Sequence, residues 1–298
     1  MREIGRALAG IGAFAGVGSL ARYGLVWLVP TVSPPWVLAT NSICRALACA
    51  FATWLIGNLL GKRTWAQMGW RGGHACAGYM LGGAGAGLAM ATAAGLAASV
   101  VGAAARISTD LSHYFVAAAP LVSGLLAAAL AEELFYRGYP LRRLADAIGP
   151  GMALLLLALG FGAAHLGNPH SSLLTTVNLA LAGVWLGIAF LSPGGLPLAW
   201  GLHFGWNAGL AVLFDAPLSG QRFDLSGMRY LPGPRPWLDG GVFGPEGGLI
   251  GTFVFVAGAA SLCPVLGRRR GPWRLFGLRP RAPQPCPERR HRPGDQAV

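Results

Sequence analysis

The chain has 298 residues, 54% of them hydrophobic, with 46 Gly, only 11% charged residues and a formal net charge of +12. Soluble domains average about 25% charged residues, so a mean hydropathy of +0.51 leaves too little polar surface to cover a water-soluble globule. Intrinsic disorder needs low hydrophobicity, and five cysteines are too few, and odd in number, for a secreted disulfide framework.

An all-α polytopic membrane bundle remains, and the spacing of charge supports it. No Asp, Glu, Lys or Arg occurs in 72–105, 111–131, 147–214 or 247–267. A helical span needs about 20 apolar residues, and the pattern predicts eight spans, at about 6–28, 36–59, 77–101, 113–139, 151–166, 173–191, 196–214 and 248–265. The first is interrupted by Arg22 and resembles a signal peptide in its basic start, but its apolar sequence runs on past Arg22 and favours an uncleaved helix. Arg45 falls inside the second span, where it is expected to face the bundle or a wet cavity rather than lipid. The Gly content points to helices packed backbone to backbone.

Basic residues near span ends mark the cytoplasmic side. Arg2, Arg6, Lys62, Arg63, Arg71, Arg142, Arg143 and the Arg-rich tail after Gly267 all fall on one side of an eight-span thread, which makes both termini cytoplasmic and the chain a multi-pass protein of the cell membrane. Arg106 and the loop at about 215–246 fall on the other side. The tail at 267–298 is basic, rich in Pro and without apolar periodicity, and is expected to be disordered and held at anionic headgroups rather than at nucleic acid.

Two of the eleven acidic residues, Glu132 and Glu133, stand side by side at the end of an apolar run. Placing one charge at a helix centre costs about 2.5 to 3.5 kcal/mol, so the pair needs a reason. Arg137 follows Glu133 by four residues and shares its helix face, whereas Glu132 is turned about 100° away and left for other work. His165, His203 and Asn207 bring imidazole and amide groups from two further uncharged segments, while His170 reads as a loop residue. Such a set fits hydrolysis. Glu132 beside a neutral His165 would activate water, and His203 with Asn207 would hold the oxyanion or carbonyl. Alternatively Glu132, His165 and His203 would bind a catalytic zinc ion with one open position. Both schemes stay open at this level.

These residues resemble the CPBP family of intramembrane proteases, which includes type II CAAX prenyl proteases and bacteriocin self-immunity proteins. The family's Glu-Glu-x-x-x-Arg is matched by Glu132, Glu133 and Arg137, its Phe-x-x-x-His by Phe161 and His165, and its His-x-x-x-Asn by His203 and Asn207. The resemblance implies an intramembrane endopeptidase acting on a peptide or protein substrate that is lipidated or membrane-anchored, with Glu132 and His165 on water, His203 and Asn207 on the carbonyl, and Glu133 and Arg137 in support. It divides the chain into N-terminal transmembrane helices (1–112), a CPBP-like protease core (113–266) and the basic tail. The long loop at about 215–246 departs from the family pattern and is expected to cap the site. A proton-coupled transporter, or a non-catalytic membrane immunity or binding protein, would use the same polar residues without cutting a bond.

One tension is visible in the thread. Glu132 falls late in an inward helix and His165 late in an outward one, at different depths. Their meeting requires the Glu helix to continue past Tyr139, or the next to start deeper, with Gly138 and Pro140 marking a bend.

Overall fold

A computed structural model describes residues 1–29, 32–70, 72–107, 114–223, 225 and 228–267. The tail after Gly267, Arg71 and the start of the fourth predicted span lie outside the described residues.

All eight apolar segments form helices. They are α1 (Arg2–Leu28), α2 (Val37–Ala52, continued as a π-helical stretch, Thr53–Leu60), α3 (His74–Val100), α4 (Tyr114–Tyr136), α6 (Pro150–Ala163), α7 (Leu173–Leu191), α8 (Gly195–Ala208, with a π-helical extension, Gly209–Leu213) and α10 (Leu249–Gly267). Among the described residues, five stretches are long and apolar enough to cross a membrane: Arg2–Leu28, Pro34–Leu60, His74–Val100, Val116–Ile148 and Leu173–Leu191. At 1.5 Å per residue, the 14 residues of α6 reach about 21 Å, short of a hydrocarbon core of about 30 Å. The structure therefore supports a polytopic helical bundle without fixing eight complete crossings.

Four of the elements were not anticipated. A short strand β1 (Ala104–Ile107) pairs antiparallel with β2 (Met228–Leu231), which ties the loop after α3 to the long loop after α8, with Arg106 opposite Arg229. The long loop also holds one helical turn, α9 (Pro236–Asp239). Between α4 and α6 lies α5 (Tyr139–Ile148), whose buried face includes Leu141, Leu144 and Ala145. Its exposed face was hidden in the sequence by the apolar run on either side.

The helix α5 removes the depth conflict. After Glu132 the chain goes on through a break at Gly138 and down α5, then turns at Gly149, where φ is +85° and a side chain would be strained. Glu132 stands 17 residues before that turn and His165 stands 16 after it. Equal arms on an antiparallel hairpin bring the two to one level, the first of the two solutions the sequence allowed.

Charges gather at two ends. Arg63 pairs with Asp146 at 2.5 Å, and Glu3 meets both Arg6 at 2.8 Å and Arg143 at 3.7 Å, so the first turn of α1, the loop after α2 and α5 share one end. Arg106 and Arg229 lie at the far end of α3, about 40 Å away.

Close helix crossings hold the bundle. A Cβ on Gly83 or Gly87 of α3 would strike the carbonyls of Leu198 and Leu202, and one on Gly201 or Gly205 of α8 would strike those of Met80 and Ala84. Gly201 and Gly205 occupy one face of α8, and the residue two positions on from each, His203 and Asn207, is turned about 200° away. Seating α8 on α3 therefore aims His203 and Asn207 at the opposite side. Helix α7 starts with a capping box, in which Ser172 Oγ accepts from Thr175 N and Ser172 N donates to Thr175 Oγ1.

Candidate active site

A cavity of about 440 Å3 opens between α2, α4, α6, α7 and α8, with the long loop as its cover. Glu132, His165, His203 and Asn207 all line it. That volume lies in the range of small-ligand and short-peptide sites.

Glu133 is not part of the cavity wall. It is fully buried, and its Oε1 accepts from Arg137 Nη1 at 2.5 Å and lies 2.8 Å from His203 Nδ1. Arg137 also donates to the carbonyl of Gly183 at 3.4 Å and stacks over the Phe161 ring, 4.8 Å from its centroid. The triad Arg137, Glu133 and His203 thus joins α4, α7 and α8. Removing one member of such a buried set strands a charge and costs about 3 to 5 kcal/mol. Glu133 Oε2 has no hydrogen-bond partner among the described residues.

Glu132, one residue earlier, has a side chain 21% exposed and turned to the cavity, with Oε2 3.8 Å from His203 Nε2. The nearest imidazole to it is therefore His203. Glu132 makes no hydrogen bond or ion pair with His165, which sits in the turn after α6. A carbonyl can only accept, so His165 Nδ1, 2.7 Å from the Phe161 carbonyl, carries its proton and leaves Nε2 with a lone pair when the ring is neutral. By the same logic His203 gives the Nδ1 proton to Glu133, and its Nε2 can donate only when the ring holds both protons. Phe161 packs between the two rings, 4.9 Å from His165 and 6.1 Å from His203 by centroid.

One contribution escaped sequence reading. Glu246 stands at the end of the long loop and is 4% exposed on the cavity wall. Its Oε1 accepts from Trp206 Nε1 at 2.7 Å, and its Oε2 accepts from Ser219 N and Oγ at 2.6 and 2.9 Å. Asn178 of α7 donates to the carbonyls of Glu246 and Gly248, each at 2.8 Å. The loop is thereby pinned over the cavity, to which it adds Leu218, Ser219, Gln221 and Phe223. The signal available was one acidic residue at the edge of a charge-free run, which on its own reads as a span boundary. Arg45, expected from the sequence to face the bundle or a wet cavity, lines the cavity from α2.

The zinc alternative required Glu132, His165 and His203 to converge. Among the described residues no group of three or more His, Cys, Asp or Glu has the spacing to hold a metal ion. The donor set as placed does not fit zinc.

Residues 114–209 match the family model described as type II CAAX prenyl endopeptidase Rce1-like. The match contains all three motifs and begins with α4. No curated protein matches the chain, and no solved structure does.

Proposed function

We propose that this chain, whose segment 114–209 matches the type II CAAX prenyl endopeptidase Rce1-like model, is a CPBP intramembrane protease that hydrolyses a peptide bond with water activated by Glu132. The observation that carries the mechanism is the division of labour between adjacent carboxylates: Glu133 is consumed by Arg137 and His203, while Glu132 faces a cavity shared with His165, His203 and Asn207.

Water held between Glu132 and the lone pair of His165 Nε2 loses a proton to the carboxylate as it attacks the carbonyl carbon. General-base help of this kind contributes about 10² to 10⁴-fold. The developing oxyanion is met by His203 Nε2–H and the Asn207 amide, preorganised donors in a water-poor site. Glu133 opposite Nδ1 fixes the ring and offsets its charge when His203 holds both protons, which readies Nε2–H as the donor. Glu132 then returns the proton to the leaving amine. The substrate is a peptide or protein presented at the membrane, and a lipid anchor on it suits a cavity set among apolar helices. Both termini are cytoplasmic by the distribution of basic residues.

The test is turnover of a palmitoylated fluorogenic peptide library by purified protein in liposomes. Glu132→Gln should remove cleavage by about 10³-fold with the melting temperature unchanged, and dialysis against a chelator should leave the wild type active. Cleavage retained in Glu132→Gln would overturn the mechanism.

A further inference from the structure

A second cavity, of about 180 Å3, lies between α1, α2 and α4 and shares Arg45, Glu132 and Tyr136 with the first. Helix register explains which residues reach it. Gly18 of α1 lies against Ala52 of α2, and the helices are antiparallel, so Arg22 comes level with Ala48. Gly124 of α4 lies against Ala39, which brings Arg45 level with Leu130, next to Glu132. Two guanidinium groups from different helices therefore reach one pocket beside Glu132.

Neither Arg22 nor Arg45 makes a hydrogen bond or ion pair with another described residue, and both are accessible. A cation at this depth with no hydrogen-bonded partner costs about 2.5 to 3.5 kcal/mol. A guanidinium fork is matched by the two oxygens of a carboxylate, which relieves that cost through paired charge-assisted hydrogen bonds.

We infer that this pocket is a subsite for a carboxylate of the peptide substrate, with Arg45 as its principal ligand and Arg22 at its outer edge. The inference rests on the hydrolase reading for the identity of the occupant. A peptide group is favoured over a lipid headgroup because the pocket runs into the cavity that holds Glu132, so whatever fills it lies beside the reacting bond. Arg45, on the wall of both cavities, separates the bound carboxylate from Glu132 and offsets their repulsion.

The experiment is equilibrium binding of an N-palmitoylated, dansyl-labelled oligoalanine peptide, made as a C-terminal acid and as the carboxamide, to the full chain in phosphatidylcholine vesicles. The acid should bind about tenfold or more tighter than the amide. Arg45→Gln should erase that difference, Arg45→Lys should keep part of it, and Arg22→Gln should reduce it less. Equal binding of acid and amide, or an undiminished preference in Arg45→Gln, would overturn the inference. So would Arg45-dependent loss of the preference on adding phosphatidylglycerol, which would make the pocket a lipid site. Arg45→Lys guards against misfolding as the cause. Tight, Arg45-dependent binding of a peptide that is never cut would leave the subsite standing while the hydrolase reading falls; cleavage without any acid preference would do the reverse.

Discussion

Glu133 and His203 meet at 2.8 Å across 70 residues of chain, and this contact decides what the two neighbouring glutamates can do. With Oε1 committed to His203 and Arg137, Glu133 has no reach into the cavity, and Glu132 is the carboxylate of the pair that faces it. The adjacent pair should separate cleanly by experiment. Glu133→Ala should lower stability by about 3 to 5 kcal/mol, because Arg137 is left buried without its acid. Glu132→Ala should change the melting temperature little while removing cleavage. Thermal melts in detergent beside turnover assays check both, and equal destabilisation by the two would show that the ion set is shared.

Glu246 holds the cover of the cavity through three hydrogen bonds. Glutamine offers one acceptor oxygen where the carboxylate offers two, so Glu246→Gln should free either Trp206 or Ser219, at about 1 to 3 kcal/mol. Limited proteolysis should then nick the loop between Ser219 and Arg235 faster than in the wild type, with α1 to α7 still protected. An unchanged cleavage rate in the loop would show that the pairing with β1 suffices to hold it.

At the crossing of α3 with α8 there is no room for a methyl group, since a Cβ on Gly87 or Gly205 would fall on a backbone carbonyl of the other helix. Gly205→Ala should push α8 away from α3 and move His203 with it. Destabilisation of a few kcal/mol is expected, as for overpacked cores, together with loss of activity beyond what the lost stability explains. Gly82→Ala, with open space around its Cβ, is the control and should be silent.

The long loop carries a pH-sensitive group of its own. Tyr230 is 3% exposed in β2, and burial, with Asp239 nearby as the smaller cause, holds its hydroxyl above the usual tyrosine range. A folded value above the unfolded one of about 10 means that stability is complete below pH 10 and is lost as pH rises past it, because only the unfolded chain then releases the proton. Tyr230→Phe should flatten that alkaline decline, measured as melting temperature from pH 8 to 11, and an unchanged slope would remove Tyr230 as its source.

Much of this was legible in the chain itself. Membrane residence, the eight apolar helices and the isolation of Glu132, Glu133, His165 and His203 follow from composition and from the cost of charge in lipid, which acts locally and marks the sequence wherever it is overridden. Even the split between Glu132 and Glu133 follows from helical rotation and the four-residue step to Arg137. The partner of that rotation did not: which imidazole lies by Glu132 depends on how deep α4 and α6 sit, and α5, a half-buried helix in mixed sequence, sets that depth. Glu246 and Arg45 likewise gained their meaning from elements far apart along the chain. Periodicity and charge report how each segment meets its solvent, whereas the site is made by distances between segments, and these are fixed by glycine contacts and buried ion pairs that exist only once the helices have packed.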